Sequence, residues 1–253
     1  MGKLENKVAI ITGATGGIGA SMAEEFAKEG AKVVVVGTNE ERGNRTVEAV
    51  KAAGSDAFFR KTDLTSTKEL QALVDEAVEK FGKVDILVNN AGADDPIYWS
   101  PDDVTEEEYD RVMAVNTKVP FFLSQKVAPV MRANGGGSII NTASIASTGA
   151  GRGPVVYTIS KHALVGVTKE MAYFYGHDNI RVNCIEPGYI ATRMVAEAMK
   201  DETIPFVPLV KGSPAERAGD PVEIARVAVF LASDDSSYLH GAEILADGGF
   251  TLI

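Results

Sequence analysis

The sequence predicts an α/β fold, a single doubly wound domain with a seven-stranded parallel sheet. Three observations carry that expectation. Seven short runs rich in β-branched residues recur along the 253-residue chain, and stretches with helical spacing fill the intervals between them. No Pro-, Ser- or charge-rich linker and no repeat of about 20–50 residues interrupts the alternation. Strands buried on both faces of a parallel sheet need apolar residues continuously, whereas the covering helices need them on one stripe.

The first strand is read at 7–12, Lys-Val-Ala-Ile-Ile-Thr, and is stopped by Gly13. Further strands are predicted at Val33–Val36, Ala57–Arg60, Val84–Val88, Ser138–Thr142, Arg181–Ile185 and Glu243–Ala246. Helices are predicted at Ile18–Lys28, Glu40–Ala53, Thr67–Phe81, Glu106–Arg132, Val155–Tyr175 and Pro221–Ala232. The last opens on Asp220 as cap, with Pro221 at its first position. Only 189–219 breaks the rhythm. It mixes a short helical pattern at Thr192–Lys200 with Pro205, Pro208, Gly212 and Pro214, and Pro205 and Pro208 are expected to prevent a continuous helix. An insertion placed directly after a strand end suits a lid over a site, closing through Ile204, Phe206 and Val207.

Composition narrows the function. Hydrophobic residues make up 45% and charged ones 24%, the balance of a soluble globular chain. A net charge of −10 argues against nucleic acid, which requires clustered Lys and Arg. The single cysteine, Cys184, cannot form an internal disulfide and reads as a packed thiol. With His162, His177 and His240 it forms no zinc-ligand spacing, so no metal is expected. No run approaches the roughly 20 apolar residues of a membrane span, and the start enters a strand directly, so the expected address is the cytoplasm.

The first strand runs into Thr12-Gly13-Ala14-Thr15-Gly16-Gly17-Ile18-Gly19 and then a helix, the context of a dinucleotide-binding turn. Gly13 permits the tight turn, Gly17 lets backbone approach a pyrophosphate, and Gly19 lets the helix approach the strand. The helix N-terminus offers unpaired N–H groups and the positive end of a dipole. The spacing is Gly-xxx-Gly-x-Gly.

That spacing joins other features in a fixed order. Asp63-Leu64 follows the third strand, Asn89-Asn90-Ala91-Gly92 the fourth and Ser144 the fifth. Tyr157-xxx-Lys161 begins thirteen residues after Ser144. Pro187-Gly188 follows the sixth strand, with Ile190 and Thr192 beyond it, and Asp247-Gly248-Gly249 follows the seventh. Over its whole length the chain resembles the short-chain dehydrogenase/reductase family. The resemblance implies a Rossmann-type domain, an NAD(P) cofactor, hydride transfer at a CH–OH group, and a homotetramer.

Hydride transfer from an alcohol needs a proton acceptor at the hydroxyl. Tyr157 is the candidate. Lys161 stands four residues on, on the same helix face, where an ammonium favours the phenolate. The resemblance implies that Lys161 also bonds the nicotinamide ribose, that Ser144 holds the substrate oxygen, and that Asn116 completes the tetrad. Pro120 follows Asn116 by four residues and cannot donate to its carbonyl. A kink is therefore expected, its carbonyl able to hold a water on a proton path from Lys161. Two helices merely joined at 114–119 are the alternative. The resemblance further places Asp63 and Leu64 near adenine, Asn90 near its ribose, and Gly13, Gly17, Ile18, Gly19, Pro187, Gly188, Ile190 and Thr192 against the cofactor. Asp63 has a rival reading as a turn or cap residue.

Gly37-Thr38-Asn39 closes the second strand without the carboxylate that would select NAD. Thr38, Asn39 and Arg42 are able to bond a 2′-phosphate. The usual arginines for NADP are missing at Gly16 and Thr38, and Glu40 and Glu41 lie close by. The balance favours NADP, with NAD the alternative.

The substrate wall is expected at 94–100, 145–155 and 189–211, with Tyr98, Trp99, Ile145, Tyr189, Met194 and Phe206 making it mostly apolar and Arg152 and Arg193 its only arginines. An uncharged ketone or secondary alcohol fits. Reduction of 3-oxoacyl groups on acyl carrier protein is the enzymatic rival, and a non-catalytic nucleotide-binding regulator the rival of another class. Phe121, Phe122, Val127, Tyr173, Phe174 and Tyr175 suggest second apolar faces on two long helices, and hence subunit contacts.

Overall fold

The computed structural model describes every residue except 1, 95–99, 193–194, 196–198, 202 and 204. The expectations for Tyr98, Trp99, Arg193, Met194 and Ile204 lie outside the described residues. Seven parallel strands form one sheet in the order β3-β2-β1-β4-β5-β6-β7. They are β1 Val8–Thr12, β2 Lys32–Gly37, β3 Ala57–Lys61, β4 Ile86–Asn89, β5 Gly137–Thr142, β6 Ile180–Pro187 and β7 Glu243–Ala246. The chain order reverses between β1 and β4, where the flanking crossovers diverge and leave a crevice beyond the carboxyl ends of the strands.

The strand pattern explains the layers. Ile10 and Ile11 are adjacent, both 0% exposed, and belong to apolar clusters on opposite faces of the sheet. Ile11 joins Met22 and Phe26 of α1 (Gly17–Lys28) and Ile224 and Ala228 of α8 (Pro221–Ala232). Ile10 joins Leu70 and Leu73 of α3 (Thr67–Phe81) with Leu123, Val127 and Met131 of α5 (Val119–Ala133). Val127 is therefore core, not part of a second apolar face. It stands one turn beyond Leu123 and one before Met131 on the inward stripe, and apolar residues flanking that stripe obscured its edge in the sequence.

Local signals set the helix ends. Asn39 caps α2 (Glu40–Ala52), its Oδ1 accepting from the Arg42 N–H at 2.9 Å. Asp220 accepts from Val222 N–H while Glu223 accepts from Asp220 N–H, so a capping box opens α8 as the Asp-Pro start suggests. Gly82 ends α3 in the left-handed region, φ 81°.

The long predicted helix 106–132 forms in three joined parts. α4 (Glu106–Met113) passes into a π-helical turn, Ala114–Lys118, and then α5. Backbone angles at Met113, Ala114, Lys118 and Val119 stay helical, so two separate helices are not what forms. The Val119 N–H reaches back five residues to the Ala114 carbonyl. Pro120 supplies the reason, since it cannot donate where a regular turn would need it.

The 189–219 segment is tied at its stems. Ile190 and Gly219 form a parallel bridge, with Ala191 N–H donating to Gly219 O at 2.7 Å and Gly219 N–H to Tyr189 O at 2.9 Å. Beside Pro205 and Pro208, Phe206–Lys211 forms a short helix, α7. Pro205 is its cap, and Pro208 lies in the first turn, where a missing N–H breaks no helical bond. Phe206 stacks on Tyr189 at 4.6 Å and Val207 is fully buried, so neither waits in water for a ligand. Among the described residues no helix is long and apolar enough to cross a membrane, and no group of three or more His, Cys, Asp or Glu gathers to hold a metal.

Candidate active site

The crevice begins at the turn between β1 and α1. Gly13 and Gly17 have φ of 66° and 55°, in the left-handed region that favours glycine. A Cβ on Gly19 would stand 2.4 Å from Gly13 O, and one on Gly13 2.9 Å from Ala91 Cα. The helix opens at Gly16 with no side-chain cap and no acid in its first turn. Uncapped N–H groups, a close backbone and no negative side chain fit an anionic pyrophosphate. Thr192 lies beside this turn: its Cγ2 is 3.2 Å from where a Gly17 Cβ would be.

Two side chains fasten β4 to this turn. Thr12 Oγ1 accepts from Asn90 N–H (3.0 Å) and Ala91 N–H (3.1 Å) and donates to Val88 O (3.2 Å). Asn90 Nδ2 donates to Thr12 O at 3.0 Å. The amide of Asn90 thus holds the floor of the crevice, leaving only its carbonyl oxygen for a ligand.

Asn116 works similarly one layer deeper. It is 0% exposed; Oδ1 accepts from Ala93 N–H at 2.7 Å, and Nδ2 donates to Ala93 O at 2.8 Å and Ser160 Oγ at 2.9 Å. Ser160 Oγ donates to Tyr157 O at 2.7 Å. The side chain therefore ties the loop after β4 to α6 (Val155–Tyr175), and the role left for a ligand belongs to its main-chain carbonyl.

Ser144, Tyr157 and Lys161 converge beside this lattice. Ser144 Oγ accepts from Ala146 N–H at 3.1 Å and is hydrogen-bonded to the Tyr157 hydroxyl. Lys161 is 3% exposed; its Nζ donates to Thr142 O at 2.7 Å and lies 5.3 Å from the Tyr157 ring centroid. Burial pushes the Tyr157 phenol up to about 12, with Ser144 pulling it down and the Asp94 carboxylate pushing it further up. Desolvation is the largest of these influences and favours the neutral phenol. Burial brings the Lys161 ammonium down to about 8, opposed by Asp94. Asp94 thus acts on both groups, and Arg111 holds its main chain through Asp94 O at 2.5 Å. Sequence reasoning placed Asp94 only in the wall; an acid two residues past Gly92 was the available signal.

At the outer end of the crevice, Thr38 and Arg42 are exposed, while the Asn39 side chain is spent on its cap. Asp63 Oδ1 accepts from Thr65 N–H (3.0 Å) and Thr65 Oγ1 (2.7 Å), so the turn-forming rival reading describes its contacts within the chain. Leu64 is half-buried beside the α3–α5 core. Pro187 ends β6, and a Cβ on Gly188 would stand 2.8 Å from Asp247 Cα, which brings the two glycine-containing strand ends together. Ile190 is buried and Ile18 half-buried. Cys184 is buried, its thiol pushed up to about 12 by desolvation, and His162, His177 and His240 are exposed away from this cluster.

A family model described as enoyl-(acyl carrier protein) reductase matches residues 13–251. Momilactone A synthase of Oryza sativa subsp. japonica is 42% identical over 99% of this chain and 92% of its own length. 7alpha-hydroxysteroid dehydrogenase of Escherichia coli K12 is 40% identical over 98% of this chain and 95% of its own. A solved 7 alpha-hydroxysteroid dehydrogenase, complexed with NADH and 7-oxo glycochenodeoxycholic acid, superposes with a TM-score of 0.91 at 39% identity, covering 97% of this chain and 94% of that one. With a crevice at the β1/β4 switch point and these relatives along its full length, the chain is an oxidoreductase of the short-chain dehydrogenase/reductase family.

Proposed function

We propose that this protein transfers hydride between NADP(H) and an uncharged ketone or secondary alcohol. The observation that carries the reading is the convergence of Ser144, Tyr157 and Lys161 beside an uncapped helix N-terminus across one crevice. The nicotinamide, when bound, supplies or accepts the hydride. Gly13, Gly17, Ile18 and Gly19 would hold its pyrophosphate end, Thr38, Asp63, Leu64 and Asn90 its adenosine, and Pro187, Gly188, Ile190 and Thr192 its nicotinamide end.

The chain's own groups handle the proton. With its value near 12 the Tyr157 phenol is protonated at neutral pH, poised to donate to a ketone oxygen as the alkoxide forms. Ser144, its oxygen accepting from the Ala146 N–H, presents its hydroxyl proton to the same ketone oxygen. The Lys161 ammonium stabilises the phenolate left behind. The Asn116 carbonyl, which Pro120 cannot serve as donor, would accept from a water on the path that reprotonates it. Segment 189–219 covers the substrate, hinging between its bridged stems.

NADP is preferred because Thr38 and Arg42 stand exposed past β2 with no carboxylate at the strand end, while Glu41 is engaged with Arg45 at 2.7 Å. The related steroid dehydrogenase was solved with NADH, which makes the comparison of both cofactors the first measurement. Oxidation of NADPH and NADH at 340 nm is to be followed against ketones, hydroxy ketones, keto sugars and 3-oxoacyl thioesters. A ketone-dependent, NADPH-favouring rate is expected; activity with the carrier thioester alone, or none with any, overturns the reading. We also propose a homotetramer, since Phe121, Tyr173 and Phe174 are 40%, 74% and 64% exposed.

A further inference from the structure

Ser144 opens a short 3₁₀ turn, Ile145–Ser147, and the hydroxyl that ends this turn has two partners. Ser147 Oγ bonds the Ser144 carbonyl and lies 2.7 Å from Glu186 Oε1. A serine hydroxyl carries one proton. A carbonyl carries none, so the bond to Ser144 uses the Ser147 proton, and the bond to Glu186 then needs a proton from the carboxyl group. Were Glu186 ionised, the carboxylate would take the Ser147 proton and leave two oxygens facing each other at Ser144. Glu186 is 3% exposed on β6 and is not otherwise used by the proposed chemistry.

We propose that Glu186 is a neutral carboxylic acid, donating to Ser147, whose hydroxyl donates to the Ser144 carbonyl, and that it thereby positions the serine of the active site. The positioning role rests on the function proposed above; the protonation state does not. The surroundings agree. Burial, the largest influence, pushes the Glu186 carboxyl above its ordinary range; the hydrogen bond with Ser147 pulls it down, and Glu243 on β7 pushes it up again. Lys169 and His162 on α6 pull the other way, but Lys169 is engaged with Glu243 at 2.7 Å and His162 is exposed. Cys184 on the same strand is a neutral thiol, its value pushed up to about 12.

The test counts the proton directly. In protein labelled with 13C at the glutamate carboxyl, one resonance is expected to keep the neutral-acid shift at pH values well above about 4.3, the ordinary glutamate value, and to vanish in Glu186→Gln. Ionisation of every glutamate at ordinary pH overturns the proposal whatever the enzyme turns over. The amide of Gln donates as the acid does, so Glu186→Gln should keep kcat/KM within about twofold, while Ser147→Ala loses about tenfold in kcat, the scale of one hydrogen bond. Wild type should lose activity as Glu186 ionises at high pH, and Glu186→Gln should lack that limb. A Gln variant as impaired as Ser147→Ala, or one keeping the limb, removes the positioning role.

Discussion

Replacing Lys161 by Met should change how stability depends on pH, by an amount the burial of the site fixes. In the folded chain the Lys161 ammonium titrates near 8, against 10.5 for an exposed lysine, because burial disfavours its charge. Between those values the unfolded chain binds a proton that the folded chain does not. Stability contributed by this group therefore rises with pH across that window and is lowest below it. Integrating from pH 7 to about 9.5 gives a gain of about 2 kcal/mol for the wild type relative to Lys161→Met, since one bound proton is worth about 1.4 kcal/mol for each pH step of one. Urea unfolding of both proteins without cofactor, at four pH values over that range, measures it; every other titrating group cancels in the difference to first order. Parallel curves, or a wild type that loses ground as pH rises, would refute the claim that a desolvated ammonium sits here. Lys161→Met should also be inactive, whatever its stability.

Tyr157→Phe should lower kcat by about 10²- to 10⁴-fold, the span of general acid–base catalysis, with NADPH affinity by fluorescence titration unchanged. Gly19→Val places a Cβ 2.4 Å from Gly13 O, a backbone atom that cannot yield cheaply; NADPH binding should be lost and stability should fall by about 1–3 kcal/mol in thermal unfolding. Thr38→Asp should invert the cofactor ratio toward NADH by about tenfold or more in kcat/KM, the 2′-phosphate then meeting a like charge. Asp94→Asn removes a group that raises both Tyr157 and Lys161, so the alkaline limb of the pH profile should move to lower pH. A sedimentation mass near that of one chain at micromolar concentration would contradict the tetramer.

The fold was legible because parallel strands buried on both faces leave an uninterrupted apolar signal, and helices such as Thr67–Phe81 and Val155–Tyr175 fall where their spacing begins and stops. The motif residues were legible for a different reason: Gly17, in the turn after β1, and Thr192, beyond the end of β6, meet in space because strand ends of this topology share one edge. What spacing does not carry is the partner of a polar side chain. Asn116 spends its amide on Ala93 and Ser160, Asn90 on Thr12, and Asn39 on a helix cap, each across an element or a turn. The tyrosine is a similar case: a lysine four residues on is visible in sequence, but the burial that raises the phenol is a property of everything packed around the ring.

These buried polar groups also explain why the site can do chemistry that the rest of the sheet cannot. Away from the crevice the buried faces of the central strands are mostly Ile and Val. At the carboxyl ends of β4 and β5 the same strands end in Asn89 and Thr142, and an ammonium is held there by the Thr142 carbonyl instead of a carboxylate. Pairing Lys161 directly with an acid would relieve its desolvation but fix its charge and its proton. Bonded to Thr142 O, it keeps a value close enough to neutrality that stabilising a new negative oxygen on Tyr157 relieves part of its own cost. The destabilisation measured by Lys161→Met in the free protein and the transition-state stabilisation lost in the same variant should then have a common origin, the desolvated charge. A variant series at Thr142 and Asp94 that moves one quantity without the other would separate them.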